Sequence, residues 1–269
     1  ASKFLAAGAL VPWAQVGAGT IATQAHADVS FGPHGLSLLA DGRSADEVVE
    51  VLIGSSPLRD KCQIGVIDSH GNAASFTGPE CMAWAGGTIG ESYAVQGNIL
   101  AGPEVVAATA EAFEREAGDL AGRLVAAILG GTAAGGDRRG RQSAAVLVMS
   151  PRGGYGGTTD VVVDLRVDDH PDPARELSRL LDLHRLYFTK PTEADLVPVD
   201  AALSSEMAGS LRTLGFLEGP DDDLWKALER FAGWENLEER FAMGDRLDRH
   251  ILAALRSAAA LGERMVFPT

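Results

Sequence analysis

Basic charge, cysteine and aromatic side chains are all scarce in this chain. Its 269 residues hold 23 Lys and Arg against 37 Asp and Glu, for a formal net charge of −14. An acidic surface repels phosphate backbones and anionic headgroups, so no nucleic acid and no membrane is expected as a partner. No apolar run approaches the ~20 residues of a membrane span. No charged-then-apolar leader opens the sequence, and a cytoplasmic location is expected. With only Cys62 and Cys81, a disulfide-built secreted domain is excluded and a reducing compartment fits. Both cysteines read as small core residues, with one disulfide as the alternative. The six histidines show no ligand spacing, so no metal is expected. No G-x-S-x-G occurs, which removes the elbow of the α/β-hydrolases.

Aromatics make up 6% while glycine reaches 32 residues. Such a chain uses close packing and many tight turns. Gly17–Ala22 (GAGTIA) matches the G-x-G-x-x-A dinucleotide turn, which needs a helix behind it to bind a pyrophosphate. The residues behind it are β-branched and soon meet Gly32 and Pro33. The segment therefore reads as a strand entered through a turn, and no cofactor is expected.

Strands are expected at Leu10–Trp13, Gly19–Thr23, Cys62–Asp68, Ala73–Thr77, Tyr93–Asn98, Gln142–Met149 and Asp160–Val167. Ser69–Asn72 reads as a hairpin turn. Helices are expected at Pro33–Leu39, over 45–54 behind a Ser44/Glu47 capping box, from Pro103 to Glu116, over Leu120–Leu129 and over Asp172–Leu186. Gly130–Gly140 reads as a glycine-rich loop. Pro191–Pro198 is the expected linker, dividing a domain over 1–190 from a small acidic all-helical domain over 199–269. In the latter, helices are expected at Glu206–Leu214, Asp221–Gly233, Asn236–Phe241 and Leu247–Leu261. Hairpins predict antiparallel sheets rather than a doubly wound parallel one.

The segment Gly135–Ser143 (GGDRRGRQS) concentrates three arginines in an acidic protein. Forked guanidinium groups on a flexible loop can hold a carboxylate; a solvated loop or an interface ion pair is the competing explanation. Arg141 and Gln142 adjoin the following strand, and at least one of them is expected to point into a pocket. Asn98, at a strand end, can donate its amide to an oxyanion or cap a turn.

Taken together, ASKFLAAGALVPWAQVGAGTIATQA, FGPHGLSLL, QIGVIDSHGNAASFTG, YAVQGNILAGPEVV, GGDRRGRQSAAVLV and VDLRVDDHPDPARELSRLLDLH closely resemble the bacterial domain-of-unknown-function family 1028. They span nearly all of residues 1–188. The resemblance implies an αββα four-layer sandwich of the Ntn-hydrolase (N-terminal nucleophile) kind. In that class a Thr, Ser or Cys at the mature terminus attacks an amide, with its own amine as base. Members usually carry Thr and Ser on a short strand ahead of ASKF, so the first strand and the nucleophile are expected to lie outside this sequence. Ser2 is a poor substitute, because one residue precedes it. The tail LRTLGFLEGPDDDLWKALERFAGWENLEERF resembles a small peptidoglycan-binding-like helical domain, in which Trp225 and Trp234 read equally as core anchors.

These readings imply an Ntn-type amidohydrolase or acyltransferase acting on a small anionic amide. The alternative is an inactive ligand-binding or scaffold protein on the same fold. Lys3, Asn98 and Ser143 are the expected catalytic residues: Lys3 tunes the nucleophile by its charge, or snorkels at a strand end, and the other two line the oxyanion side. Asp137, Arg138, Arg141, Gln142 and Thr23 are expected to contact substrate, with Asp137 orienting an arginine. An exposed sheet edge predicts a homo-oligomer.

Overall fold

The computed structural model describes residues 1–219 and 221–262. The chain forms two compact units, Ala1–Leu181 and Asp182–Thr269. Among the described residues all strand pairing is antiparallel.

In the first unit, β1 (Pro12–Gln15), β2 (Gly19–Ala25), β3 (Cys62–Asp68) and β4 (Ala73–Thr77) form a four-stranded sheet in that order. Gly17 and Gly19, both at positive φ, make the turn into β2. A side chain at Gly19 would strike the Ile67 carbonyl. The G-x-G-x-x-A segment is therefore a strand entry, as its residues predict.

Helices α1 (Phe31–Ala40) and α2 (Ala45–Ser55) cover one face of this sheet. The expected capping box forms: the Ser44 hydroxyl accepts from the Glu47 amide, and the Glu47 carboxylate accepts from the Ser44 amide. Alternation along the strands sends Ile21, Ile64 and Val66 into the core beneath α1 and α2, with Leu39, Val48 and Leu52. Asp68 closes the β3–β4 turn by accepting from the His70 and Asn72 amides and reaches the Ala45 amide at the start of α2. Burial pushes its carboxyl up, but these donors, with the Asn72 side chain, hold it below the usual range.

The opposite sheet face meets a hairpin of β5 (Gly86–Gly90) and β6 (Tyr93–Gly97). Glutamines join the two layers. Gln63 Nε2 donates to the Gly97 carbonyl at 2.9 Å, and Gln24 Nε2 to the Gln96 carbonyl at 2.9 Å. The residues now in β5 were not expected as a strand, because glycine is frequent among them and their pattern is weak.

Helix α3 (Glu104–Arg115) lies on this hairpin and against α4 (Leu120–Ala133). α4 continues through Gly130 and Gly131, where a loop was expected. Those glycines let α3 approach: a methyl at Gly130 would sit 2.6 Å from the Ala112 Cβ. Strands β7 (Ala144–Met149) and β8 (Val161–Val167) pair with each other, and β7 also lies beside β1. Val146, Val163 and Val167 meet Val125 of α4 and Leu177 and Leu181 of α5 (Pro173–Phe188) in a second core.

In the second unit, the stretch expected as linker holds a 3-10 turn at Glu193–Asp195 and the strand β9 (Leu196–Pro198). Helices α6 (Ala201–Leu214) and α7 (Leu224–Trp234), strand β10 (Arg246–Asp248) and helix α8 (Arg249–Leu261) follow. β9 pairs with β10, so the expectation of a purely helical tail is corrected. Asn236–Phe241, expected as a helix, contains only a 3-10 turn at Glu238–Arg240, where the buried arginine fixes the chain. Met207, Leu211, Phe216, Phe231 and Ile251 form the core of this unit. Gly215 ends α6 at φ 87°, as its position predicts. Trp225 packs against that core, whereas Trp234 is 47% exposed. Both cysteines are free thiols; Cys62 is buried and Cys81 half-buried.

Candidate functional site

The arginine loop is held from two sides. Toward β6, Arg138 donates its amide to the Ile99 carbonyl, Ala101 donates to the Gly136 carbonyl, and Leu100 bridges Asp137. Toward the start of the chain, Ser2 bridges Ser143 in antiparallel fashion, and the Gln142 and Ser143 amides both donate to the Ser2 carbonyl at 3.0 Å. Gly135, Gly136 and Gly140 supply the positive-φ bends this path needs.

Asp137 is the centre of the loop. Its side chain is 7% exposed. It accepts from the Lys3 amide at 3.0 Å, from the Arg139 amide at 3.0 Å and from Nε and Nη2 of the Arg139 guanidinium. Burial pushes the Asp137 carboxyl up; the Arg139 guanidinium and the two amides outweigh it and hold it below its usual range. The arginine that Asp137 orients is thus Arg139, a residue not singled out in the sequence. Its separation of two from Asp137 was the available signal.

The other expected residues distribute unevenly. Lys3 is exposed, and its alkyl stem passes near Gly140. Arg138 is exposed and donates Nη1 to the Ala83 carbonyl at 3.3 Å. Arg141 and Gln142 turn the other way, toward the segment after β8: Arg141 stands 3.7 Å from Asp172, and Gln142 Nε2 donates to Asp169 at 3.1 Å. Asn98 is half-buried immediately before Ile99, beside the Arg138 contact.

Ser143 is fully buried, and its hydroxyl is engaged both ways. It donates to the Phe4 carbonyl at 2.7 Å and accepts from the Ala7 amide at 3.2 Å. That hydroxyl fixes the turn at the start of the chain. Thr23 lies apart from this group. It is fully buried, and alternation puts it on the Ile21 face of β2, beneath the helices, with its hydroxyl unpartnered.

Sequence reasoning also missed Ile99. It sits at φ 55° with its amide donating to the Met82 carbonyl and its own carbonyl accepting from Arg138. Positive φ is rare for a β-branched residue, and such strain persists where surrounding contacts over-determine it. Among the described residues no three His, Cys, Asp or Glu side chains come together as a metal site. No helix among them is long and apolar enough to cross a membrane.

Antiparallel strand pairs covered by helices, with a polar loop braced against the first residues, define a mixed α/β protein with a helical C-terminal region. The chain belongs to the family of unknown function DUF1028, whose model matches residues 1–177. Residues 187–255 match a second model, described as "Putative peptidoglycan binding domain". A crystal structure of a Silicibacter pomeroyi protein assigned to the DUF1028 family is similar at 31% identity and a TM-score of 0.63, covering 69% of this chain and 78% of that one. No curated protein matches the chain.

Proposed function

We propose that the first unit is an Ntn-type amidohydrolase or acyltransferase that acts on a small anionic amide. The observation that carries this reading is the buried Asp137, which binds the Lys3 amide next to the bridge between Ser2 and Ser143 on the loop that also bears Arg138. The layering supports it too: α1 and α2, then the four-stranded sheet, then the β5–β6 hairpin, then α3 correspond to a helix–sheet–sheet–helix order.

In this reading Arg138 takes the substrate carboxylate. Its Nη1 makes a single long contact with a carbonyl, whereas Arg139 is committed to Asp137 through Nε and Nη2. Lys3 adds positive potential beside it, which lowers the pKa of a neighbouring nucleophilic amine. Asn98 offers an amide donor for the developing oxyanion. Asp137 holds Arg139 and the Lys3 backbone in place. The nucleophile of this chemistry is a Thr, Ser or Cys at the mature N-terminus, and the proton it loses goes to its own α-amine.

A second reading, an inactive ligand-binding protein on the same fold, is favoured by the Ser143 hydroxyl, which is committed to Phe4 and Ala7. One experiment separates the two. The protein expressed from the complete gene is subjected to N-terminal sequencing and assayed for amine release from amides that carry a carboxylate. A terminal Thr, Ser or Cys whose replacement by Ala removes turnover supports the hydrolase. Any other terminus, or binding of those amides without turnover, overturns it in favour of the binding protein.

A further inference from the structure

β8 has one strand neighbour, β7, and its far edge carries no backbone hydrogen bond among the described residues. Such an edge is a template for another strand. Its side chains divide cleanly by face. Val163, Leu165 and Val167 belong to the core under α4 and α5, while Asp164 and Arg166 are exposed on the other face.

We propose that β8 pairs antiparallel with β8 of a second copy of this chain, about a two-fold axis through Leu165. The register is set by the charges. For the covered faces of both copies to remain on one side, residue numbers of opposed pairs must sum to an even value. A sum of 330 opposes Asp164 to Arg166 twice, Val163 to Val167 twice, and Leu165 to itself. A sum of 328 opposes Asp164 to Asp164, and a sum of 332 opposes Arg166 to Arg166; directly opposed like charges destabilise a ladder. One register therefore satisfies both faces. Arg166 is already braced for it: Nε and Nη2 bond to Asp168 of its own chain, which leaves Nη1 for the incoming Asp164. A strand of unlike sequence would meet alternating charges on one face without this complement, which is why a second copy is the occupant.

Five residue pairs make a small interface of the weak class, so association depends on concentration. Sedimentation of the whole chain over a range of concentrations tests this against the 28.1 kDa mass of one copy. The native protein is expected to approach twice that mass with rising concentration. Asp164→Arg and Arg166→Asp each place like charges opposite and weaken association by roughly 10-fold or more. The double reversal restores it to near the native value. Both positions are exposed; if either reversal nevertheless disturbs the fold, as read by circular dichroism, the neutral changes Asp164→Asn and Arg166→Gln replace them, with a several-fold weakening expected from each. A native protein that stays monomeric, single variants that associate normally, or a double variant that stays apart each overturn the proposal.

Discussion

Asp137 grips Arg139 through both carboxylate oxygens, with Nε to Oδ1 at 3.0 Å and Nη2 to Oδ2 at 2.7 Å. The carboxylate is almost wholly buried while the guanidinium is nearly half exposed. The pair therefore serves the loop more than the surface: it closes the arginine segment into a hook that also accepts the Lys3 amide.

Asp137→Asn is expected to destabilise the first unit by about 2 kcal/mol, the scale of hydrogen bonds to a charged group. For a unit of this size that lowers its melting temperature by about 4–8 °C. The native protein carries a matching pH dependence. The folded pKa of Asp137 lies below its unfolded value, so its contribution is complete above the ordinary carboxylate range and disappears as pH falls through the depressed folded value. The Asn variant lacks that acid dependence. Melting curves of both proteins from neutral pH into acid check this; parallel curves would show that the pair contributes nothing.

Thr23→Val is expected to stabilise the protein. The Thr23 hydroxyl is buried without a partner, on a face otherwise filled by Ile21, Ile64 and Val66. Valine keeps the shape and removes an unpaired polar atom, a gain of about 1 kcal/mol. Denaturant unfolding gives the sign directly. A loss of stability would mean that the hydroxyl bonds a trapped water, and that Thr23 is correctly threonine.

Thr23 was expected to touch substrate, but the sequence could not reveal which face of its strand it took. Face depends on register, which the Thr23–Ile64 pairing sets. The strongly patterned strands were legible: the ends of β3 and β4 and the start of α2 match expectation because a hairpin turn and a capping box are local signals. β5, with its glycines in GGTIG, carries no such signal and is ordered by its partners. At the site, the arginine loop was legible as a composition anomaly. Which arginine pairs with Asp137 was not, since that choice depends on the bends at Gly136 and Gly140. Ser143 was legible as a residue entering a buried strand, but its hydroxyl bonds depend on the Phe4–Ala7 turn some 136–139 positions away in sequence.

Gly130→Ala sets two effects against each other. Alanine is favoured over glycine inside a helix by about 1 kcal/mol. Here its methyl would lie 2.6 Å from the Ala112 Cβ and 2.9 Å from the Ala108 carbonyl oxygen. Overpacking of this kind costs about 1–3 kcal/mol, and the backbone oxygen cannot turn aside as a side chain can. A net loss of about 1 kcal/mol is expected from urea unfolding. An increase would show that α3 and α4 separate freely, and that the glycines in α4 are not there for close approach.

The second unit is expected to depend on Arg240. Its guanidinium, 5% exposed, donates through Nε and Nη2 to one oxygen of the fully buried Asp248 at 3.0 and 2.8 Å, and Nη2 also stands 3.2 Å from Asp195. This arginine ties the β9–β10 ribbon to the turn that precedes it. Arg240→Met leaves Asp248 as an unpaired buried charge, and breaking such a pair costs about 3–5 kcal/mol. Replacing Asp248 by Asn as well relieves the buried charge, so the double variant should recover part of the loss. Asp195 adds an acid limb. The Thr192 amide and hydroxyl, then the charges of Arg240 and Arg249, hold its carboxyl far below the usual range. Its folded pKa being depressed, the stabilisation holds above the ordinary carboxylate range and is lost only as pH falls well below it. Hydrogen exchange in α6 and α8 of the whole chain, followed from neutral to strongly acidic pH, reads this unit separately from the first. Protection that persists in Arg240→Met at neutral pH would mean that the apolar core around Met207, Leu211 and Phe231 holds the unit without the ion pair.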